Sequence, residues 1–390
     1  DITNDKRPEL QGTAEPGATI NIYDNGGTTP IGTVNANNGG IWSFTPTTAL
    51  GQGLHNLTVT ATDADGNTSP AASFTLTVDS IAPLAPAITL VDDDFGTITG
   101  SVPNNGVTND KTPTILGTGE PGSTVTLTLD GTNDLTTFTV DSAGTWSYTL
   151  TTDLSQGNHS FTVTASDSAG NVTTPSTGFV ITVDNTPPIA PTFINATDDI
   201  GSITTDLGNN SSTDDTRPQF NGTGAPDSTI TLYDGATAIG SFTIGADGQW
   251  SITPAQPLTE GPHALTAVAT DAAGNASTAA NFNLTIDTTP PVAPVIVNAV
   301  GEVGGASATL VSGASMQNGI PTLTGTGEVG ATIRIYDNGG TTPIATFTVP
   351  AGGNWTFTPT TALTEGAHTL TAVATDPAGE RILTALCERF

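Results

Sequence analysis

The residues of this chain that could do chemistry are carboxylates that recur in a fixed set. Short acidic segments stand at TND (3–5), DDDFG (92–96), TND (108–110), TDDIG (197–201) and TDD (213–215), and single aspartates close three strand-like stretches at Asp79, Asp184 and Asp287. The sequence holds 37 acidic side chains against 7 Lys and Arg residues, for a formal net charge of −30. Because protein cations are too few to neutralise these groups, the chemistry they offer is oxygen donation to a divalent cation.

Calcium is the cation that this donor set favours. Like charges about 4 Å apart repel by about 1 kcal/mol in water and about 4 kcal/mol at an effective dielectric constant of 20. Calcium accepts about 6 to 8 oxygen ligands in forgiving geometry, whereas magnesium gives up its water reluctantly. Zinc and copper prefer Cys and clustered His, and the chain has one Cys and four separated His. The sequence therefore predicts Ca²⁺ as the cofactor.

The acidic set belongs to a repeat that organises the whole chain. The four Trp residues are spaced by 104, 104 and 105 positions, and the four His residues keep the same spacing. Three proline-containing connectors join the copies at 78–86, 183–191 and 286–294. The predicted domains are 1–80, which lacks its opening strand, 81–185, 186–288 and 289–390, which ends in an atypical tail that carries the only Cys.

Within each copy the pattern is that of short strands. Segments 124–129 and 160–165 alternate apolar and polar residues, and Gly-containing turn signals recur between such segments. About seven strands in about 100 residues indicate a two-sheet β-sandwich. We therefore predict an all-β fold, a tandem array of four Ig-like β-sandwich domains in an extended rod. Each Trp is expected to cover one end of its core, and each His to cap or pack just before a strand.

The strings TPTILGTGEPGSTVTL, GTWSYTL and HSFTVTASDSAGN resemble the bacterial Ig-like repeats of giant non-fimbrial adhesins secreted by type I systems, and of biofilm-associated surface proteins. The resemblance covers residues 1–380 in motif order and spacing. It implies secretion to the bacterial cell surface, a rod-like stalk and calcium at the domain junctions. It implies no receptor specificity for these copies.

An Ig-like sandwich would place the acidic residues at two opposite ends. The trailing end of a copy carries the acidic loops and the closing aspartate, and the leading end of the next carries the EPG and TDxxGN turns. The predicted calcium ligands at the first junction are Asp5 and Asp79 with Glu120 and Asp167. Those at the second are Asp93, Asp94, Asp110 and Asp184 with Asp227 and Asp271. Those at the third are Asp198, Asp199, Asp214, Asp215 and Asp287 with Glu328 and Asp376. The leading end of copy one supplies Glu15 and Asp63.

Two features limit this assignment. In copy three Ala225 stands where the other copies have Glu, and Asp227 is the expected substitute. Copy four has AVG (299–301) and Asn318 where copies two and three have acids, so we expect no comparable site at its trailing end. The alternative for any one aspartate is an ordinary turn residue, and we assign that role to the DSAG turn at 141–144.

The composition and the repeat argue against several classes of function. A strongly acidic chain does not suit nucleic acid, and no apolar run is long enough for a membrane helix. An enzyme is not expected, because every His recurs in all four copies. The predicted function is a calcium-rigidified, monomeric spacer whose partners are the neighbouring repeats, with a distal tip contacting the host surface. The alternative is that the repeats themselves bind glycan or host protein, through the shared positions of Tyr23, Tyr233 and Tyr336.

Overall fold

The computed structural model describes residues 1–201, 204–311 and 313–387, with the backbone alone for residues 381 and 383–387. The chain divides into two compact units, residues 1–185 and 186–390, and each holds two copies of the repeat. Every regular element in the described part is a β-strand. None of these residues belongs to a helix that could cross a membrane.

The strands follow the same order in each copy. Copy one contains β1 (Ile2–Thr3), β2 (Leu10–Thr13), β3 (Thr19–Asp24), β4 (Gly32–Asn35), β5 (Ile41–Phe44), β6 (Gly53–Thr62) and β7 (Ala72–Val78). Copy two contains β8 (Ala87–Asp93), β9 (Gly100–Val102), β10 (Gly106–Thr108), β11 (Thr114–Thr118), β12 (Thr124–Leu129), β13 (Asn133–Thr139), β14 (Thr145–Thr149), β15 (Gly157–Ser166) and β16 (Phe179–Val183).

Copies three and four repeat this series. Copy three contains β17 (Thr192–Thr197), β18 (Asp206–Leu207), β19 (Ser211–Thr213), β20 (Gln219–Thr223), β21 (Thr229–Asp234), β22 (Thr237–Thr243), β23 (Gln249–Ile252), β24 (Gly261–Thr270) and β25 (Ala280–Ile286). Copy four contains β26 (Val295–Val303), β27 (Ala306–Thr309), β28 (Thr322–Thr326), β29 (Thr332–Asp337), β30 (Ala345–Thr348), β31 (Asn354–Phe357), β32 (Leu370–Thr375) and β33 (Arg381–Cys387).

Each copy has two sheets that enclose a core. In copy two a five-stranded sheet in the order β10-β16-β15-β12-β13 accompanies a four-stranded sheet in the order β14-β11-β8-β9. The short strand β10 runs parallel to the closing strand β16, and the other pairings are antiparallel. The predicted all-β architecture of tandem Ig-like domains is confirmed, and TVTLTL (124–129) forms β12.

Strand alternation explains where the core lies. Along β15 the side chains of Phe161, Val163 and Ala165 are buried, while the residues between them face outward. Successive side chains of a strand point to opposite faces, so each strand supplies one apolar row. The buried residues form one continuous cluster in each of copies two to four but two separate clusters in copy one. Copy one is therefore the least completely closed sandwich.

Each tryptophan seals its core against a glycine of the neighbouring strand. In copy three, Gly222 of β20 pairs with Trp250 of β23, and the indole Nε1 donates to the Thr223 carbonyl at 3.1 Å. A Cβ added at Gly222 would collide with the indole ring and with the Thr192 carbonyl oxygen. Position 222 therefore requires glycine, because both the Trp250 ring and the Thr192 carbonyl oxygen approach it too closely for a side chain. The tryptophan belongs to a strand and packs against the neighbouring strand of the same sheet. The prediction that it covers one end of the core was therefore wrong.

We expect Gly222→Ala to lower the unfolding free energy of copy three by about 1–3 kcal/mol, because the carbonyl and the ring cannot both move aside. Gly208→Ala is the control, since nothing lies within 4 Å of a Cβ at that exposed position. Calorimetric unfolding of the full chain measures both variants. Equal melting of the two variants would contradict the packing role of Gly222.

A buried histidine paired with an aspartate also recurs in every copy. His55 Nδ1 lies 2.7 Å from Asp24 Oδ2, and His55 Nε2 lies 2.8 Å from the Gly51 carbonyl oxygen. The other three pairs, with Nδ1–Oδ2 distances of 3.0, 2.7 and 2.8 Å, are His159–Asp130, His263–Asp234 and His368–Asp337. Both ring nitrogens of His55 face acceptors, so the geometry in copy one calls for the doubly protonated imidazolium. In copies one to three the histidine is the third residue of its strand, whereas the sequence predicted that it would stand just before the strand.

This pairing makes stability depend on pH. Burial by itself lowers the pKa of His55, but the Gly51 carbonyl and the Asp24 carboxylate outweigh it and raise the pKa above its ordinary value. A group whose folded pKa is raised contributes stability that is fully present below its unfolded pKa. That contribution is lost as pH rises through the folded value.

We expect His55→Gln to destabilise copy one by about 1–3 kcal/mol, because Asp24 keeps a buried acceptor with a poorer partner. The difference in melting temperature between the chain and this variant should be larger below about pH 6 than above about pH 8. Both would be measured with calcium chelated. A pH-independent difference would show that the imidazole is neutral in the folded state.

The tail of copy four forms a strand, which its sequence did not lead us to expect. Residues Arg381–Cys387 pair antiparallel with Leu370–Thr375, so β33 takes the closing-strand position directly after the last turn. At the other end of the chain, β1 (Ile2–Thr3) pairs in parallel with β7 as the equivalent strands do. Among the described residues, β2 pairs with β5 and with no second strand.

Candidate metal centre

In copy two, three chain segments bring the predicted acidic residues to one end of the sandwich. Strand β8 ends at Asp93, and the hydroxyl of Thr108, the last residue of β10, donates to Asp93 Oδ2 over 2.5 Å. The backbone N–H of Asp110 donates to Thr108 Oγ1 at 3.0 Å, and that of Asp184 donates to the Thr108 carbonyl at 2.8 Å. One threonine thus gathers three aspartates.

Copy three repeats this arrangement with the same partners. The Thr213 hydroxyl donates to Asp198 Oδ2 at 2.7 Å, and the backbone N–H of Asp215 donates to Thr213 Oγ1 at 3.1 Å. The backbone N–H of Asp287 donates to the Thr213 carbonyl at 2.9 Å. The convergence of these segments is therefore a property of the repeat rather than of one copy.

These carboxylates are buried, and none of them forms an ion pair with a Lys or Arg among the described residues, although the Arg217 charge partly offsets the raised pKa of Asp215. Asp110 is 3% exposed and Asp215 is 2% exposed. Burial raises the pKa of Asp110, and the neighbouring charges of Asp93 and Asp94 raise it further. The pKa of Asp215 is raised in the same way. Among the described residues the ion pairs with side-chain cations are those of the four His–Asp pairs. The acidic ends thus carry charge that the protein itself leaves uncompensated.

The third junction, between copies three and four, adds carboxylates from both copies. The backbone N–H of Asp214 donates to the Ala378 carbonyl of copy four at 3.2 Å. Burial raises the pKa of Asp214 to about 6, and the charges of Asp198, Glu380 and Asp376 contribute. A carboxyl with this pKa is partly protonated near neutral pH because its ionised form has no favourable partner. The carboxylates of the third junction therefore repel one another.

Most of the aspartates of the TDxxGN turns accept hydrogen bonds from N–H groups of the same turn. Asp167 Oδ1 accepts the backbone N–H groups of Ala169 and Asn171 at 2.9 Å, and Asp167 Oδ2 accepts Asn171 Nδ2 at 2.7 Å. Asp63 and Asp271 have the same contacts in their copies. These contacts are those of the turn residue that was the alternative interpretation, and a ligand role for the three remains a prediction.

Asp376 is the exception among these turns. Its Oδ1 accepts the backbone N–H groups of Gly379 and Glu380 at 2.8 and 3.0 Å. Glu380 stands where the other copies have Asn, and a carboxylate cannot donate, so the buried Asp376 Oδ2 has no partner. Burial raises the pKa of Asp376, and the Asp287 charge of copy three adds to the shift.

The first junction uses amides where the third has acids. Asn171 Nδ2 of copy two donates to the Asp79 carbonyl of copy one at 2.8 Å, and Asn4 of copy one lies beside Gly170 of copy two. Asp214 and Glu380 are the counterparts of Asn4 and Asn171 in the third junction. Two uncharged side chains of the first junction are thus replaced by two carboxylates in the third.

The remaining predicted ligands make other contacts or are exposed to solvent. Glu120 Oε2 accepts the backbone N–H of Leu84 at 2.7 Å, and Glu328 Oε2 accepts that of Val292 at 2.8 Å, so these two hold the connectors that precede their own copies. Asp227 has φ +65° at the position that glycine holds in the other copies, and it therefore does not occupy the Glu position. The side chains of four further predicted ligands are exposed, namely Asp5, Glu15, Asp94 and Asp199.

The donor set suits calcium in chemistry but is not closed into a finished site. No three His, Cys, Asp or Glu side chains in the described ranges converge into a ready-made metal site. The trailing ends and the third junction do contain buried oxygens without a hydrogen-bond partner, at Asn109 Oδ1, Asp110 Oδ2, Asp214 Oδ1 and Asp376 Oδ2. Calcium also takes amide and backbone carbonyl oxygens. These orphaned oxygens are hard donors of the kind that calcium accepts, and the same holds for the unpartnered Asp24 Oδ1 and Asp337 Oδ1 beside the histidines.

Sequence reasoning missed four contributors to these ends. Asn109 has a buried side chain beside Gly96, which carries φ +79°. Gln52 Nε2 donates to Asp79 Oδ1 at 2.6 Å, and Gln156 Nε2 donates to Asp184 Oδ1 at 2.8 Å. The fourth, Glu380, falls at the start of the tail that the sequence marks as atypical. Alignment of the copies against one another is the signal that could have found all four.

Comparison with known proteins agrees with the fold and repeat number. The bacterial Ig-like domain family matches residues 1–80, 84–185, 190–288 and 302–385. No relative was found among curated proteins.

Among solved structures, a tetra-tandem repeat from the extending region of a large adhesion protein is 22% identical, with 99% of this chain and 94% of that chain covered and a TM-score of 0.34. The BSP domain of a biofilm-associated protein is 16% identical over 70% of this chain and 57% of its own, with a TM-score of 0.20. The ICAM-5 D1–D4 fragment is 14% identical over 100% and 96%, with a TM-score of 0.35. At these values the likenesses carry no argument about function. The four family matches, which span most of the sequence, show that this chain belongs to the bacterial Ig-like domain family.

Proposed function

We propose that the four repeats form a spacer segment of a secreted bacterial surface adhesin, in which calcium holds neighbouring repeats together. Family membership and fourfold repetition support a structural role, and the charged pairs of the described residues recur once in each copy instead of forming a singular site. The observation that carries the proposal is the set of buried carboxylates with partnerless oxygens at the trailing ends and the third junction.

The third junction has the residues best suited to hold the ion. Copy three would contribute Asp198, Asp214, Asp215 and Asp287, and copy four would contribute Asp376 and Glu380. Bound calcium would supply positive charge that relieves the raised pKa values of these acids and would tie the two copies to one another. The chain's own part is to hold these oxygens at a fixed place through Thr213 and the turn that ends at Glu380.

The first junction should bind calcium more weakly. Its copy-one side has Asp5 and Asp79 but lacks the acidic loop that follows the opening strand in copies two and three. The side-chain amides of Asn4 and Asn171 stand where the third junction has carboxylates, and they add no charge. A graded series of affinities along one chain is the expected result.

A location outside the cell would account for the strong negative charge of the chain. A strongly acidic chain of low apolar content stays soluble, and a site that needs calcium completes its folding only where calcium is abundant. Under this proposal a distal tip contacts host surface or glycan, and the repeats described here provide reach. The alternative, direct binding by the repeats, finds little support, since Tyr23, Tyr233 and Tyr336 are all half-buried at one packed strand position. Binding of the isolated chain on glycan and host-protein arrays would favour that alternative.

Chelation tests the metal. We expect excess EGTA to lower the melting temperature of the full chain and to broaden its small-angle scattering profile, because junction repulsion is then unopposed. Millimolar calcium should restore both, and equimolar magnesium should restore them less. Identical melting and scattering with and without EGTA would contradict the calcium proposal while leaving the fold assignment intact.

A double variant tests the third junction. Asp214→Asn with Glu380→Asn recreates the amides of the first junction. It should raise stability in EGTA by about 1–4 kcal/mol, through lost repulsion, and should shrink the stabilisation that calcium provides. The charge-matched control is Asp134→Asn with Glu365→Gln, two exposed acids away from that junction. Similar behaviour of the two variants would mean that net charge, rather than this site, governs stability.

A further inference from the structure

In copies one and two, the residue three positions before the buried histidine is a glutamine that bonds the closing aspartate of the same copy. Gln52 Nε2 donates to Asp79 Oδ1 at 2.6 Å, and Gln52 Oε1 accepts the next backbone N–H, that of Ser80, at 2.9 Å. In copy two, Gln156 Nε2 donates to Asp184 Oδ1 at 2.8 Å. The glutamine thus uses its N–H group on the carboxylate and its oxygen on the backbone.

Copy three has a glutamate, Glu260, at this position. Glu260 Oε2 accepts the backbone N–H and the hydroxyl of Thr288 at 3.0 and 2.8 Å, and Glu260 Oε1 accepts the hydroxyl of Thr289 at 3.3 Å. The Asp287 side chain also lies within hydrogen-bonding reach of Glu260. Because an ionised carboxylate has no proton to donate, two carboxylates meet where copies one and two have an amide and a carboxylate.

The glutamate is charged at neutral pH. The backbone N–H of Thr288, followed by its hydroxyl, lowers the pKa of the exposed Glu260 carboxyl group. Within the part of the chain that the structure describes, neither Glu260 nor Asp287 forms an ion pair with a basic side chain. The repulsion between these two carboxylates is therefore opposed by no positive charge of the protein.

A third carboxylate approaches this pair from copy four. Asp376 is 3% exposed, and its Oδ2 accepts no hydrogen bond. Burial raises the pKa of Asp376, and the charge of Asp287 raises it further. A buried oxygen without a partner therefore lies within electrostatic range of the same aspartate that Glu260 contacts.

The ligand that these groups suit is a divalent cation. A carboxylate has about four acceptor sites, and the threonine contacts use three sites of Glu260, which leaves one on Oε1. Because Glu260 is exposed, a cation held there keeps water on its outer side. Calcium accepts such a mixture of carboxylate and water oxygens, and its affinity for a site depends on the number of charged ligands.

We propose that Glu260 is a further ligand of the calcium ion at the third junction, and that glutamine or glutamate at this position decides whether the closing aspartate is available to the metal. A glutamine occupies that aspartate with its own N–H group. Glu260 leaves Asp287 without a side-chain amide donor and adds one negative charge. This inference rests on the proposed calcium role, and it explains a difference between junctions that the acidic loops alone do not.

Amide hydrogen exchange tests this assignment in the full chain, with calcium alone as the probe. In EGTA, Glu260→Gln should slow exchange along residues 285–289, because an amide–carboxylate hydrogen bond replaces the repulsive pair. Calcium should slow exchange of these residues in the unmodified chain. The variant should need about tenfold more calcium for half of that effect, since one charged ligand is lost. Glu365→Gln, the exposed counterpart in copy four, is the charge-matched control and should change neither result.

The reverse exchange is made in copy one. Gln52→Glu should speed amide exchange along residues 77–81 in EGTA, and millimolar calcium should reverse this, because the new glutamate and Asp79 then share the cation. Gln52→Ala is the control, since it removes the amide without adding a charge. Its exchange along the same residues should be faster with and without calcium.

Two results overturn the inference. One is an equal calcium requirement of Glu260→Gln and the unmodified chain at residues 285–289, and the other is an equal calcium response of Gln52→Glu and Gln52→Ala at residues 77–81. Either result leaves the proposed calcium role intact as long as EGTA lowers the melting temperature of the unmodified chain. If EGTA has no effect on the unmodified chain, the proposed calcium role and this inference both fail.

Discussion

The structure depends on negative charge that it does not itself neutralise. Aspartates with raised pKa values lie buried at the trailing ends of copies two and three, and the few Lys and Arg side chains form no ion pair with them among the described residues. Burial of an unpaired charge costs more than any single contact of a small sandwich returns. The backbone nevertheless fixes these groups in place, through a threonine hydroxyl that each trailing end repeats. The trailing ends therefore hold buried carboxylates in a fixed arrangement without an ion pair to a Lys or Arg among the described residues.

The repeat keeps its hydrogen-bonded framework constant and varies the charge that the framework carries. The same turn holds Asp167 and Asp376, yet Asn171 completes the first while Glu380 leaves the second one donor short. Across the same junction position Asn4 becomes Asp214. Exchanges between amide and carboxylate alter shape little and electrostatics greatly, so the first and third junctions differ in charge without any change in fold.

Stability within a copy depends on a different contact, the packing of an uncharged tryptophan side chain against a glycine. A tryptophan packs against a glycine in every copy, and in copies two to four a carbonyl oxygen of the opening strand packs against that same glycine. These contacts are between uncharged groups and hold the two strands that flank the glycine close together.

The sequence by itself determined the fold class, the four copies and the segments that gather at the trailing ends. These follow from local signals, since apolar alternation with period two defines strands and glycine-rich turns separate them. It also supplied the expectation that the histidines are structural, although only the structure revealed that each one bridges a carboxylate and a carbonyl.

Only the tertiary structure decided which carboxylates serve turns and which remain unsatisfied. Asp63 and Asp376 occupy the same motif position, and their difference depends on one residue four positions further on. Glu120 reaches a backbone amide 36 residues earlier, and the contact between Asp214 and the turn of Glu380 joins residues more than 160 positions apart. Local pattern cannot specify such pairings, because they depend on how one sandwich is seated on the next. The physical reason is that a carboxylate's role depends on the donors and solvent around it, which distant segments supply.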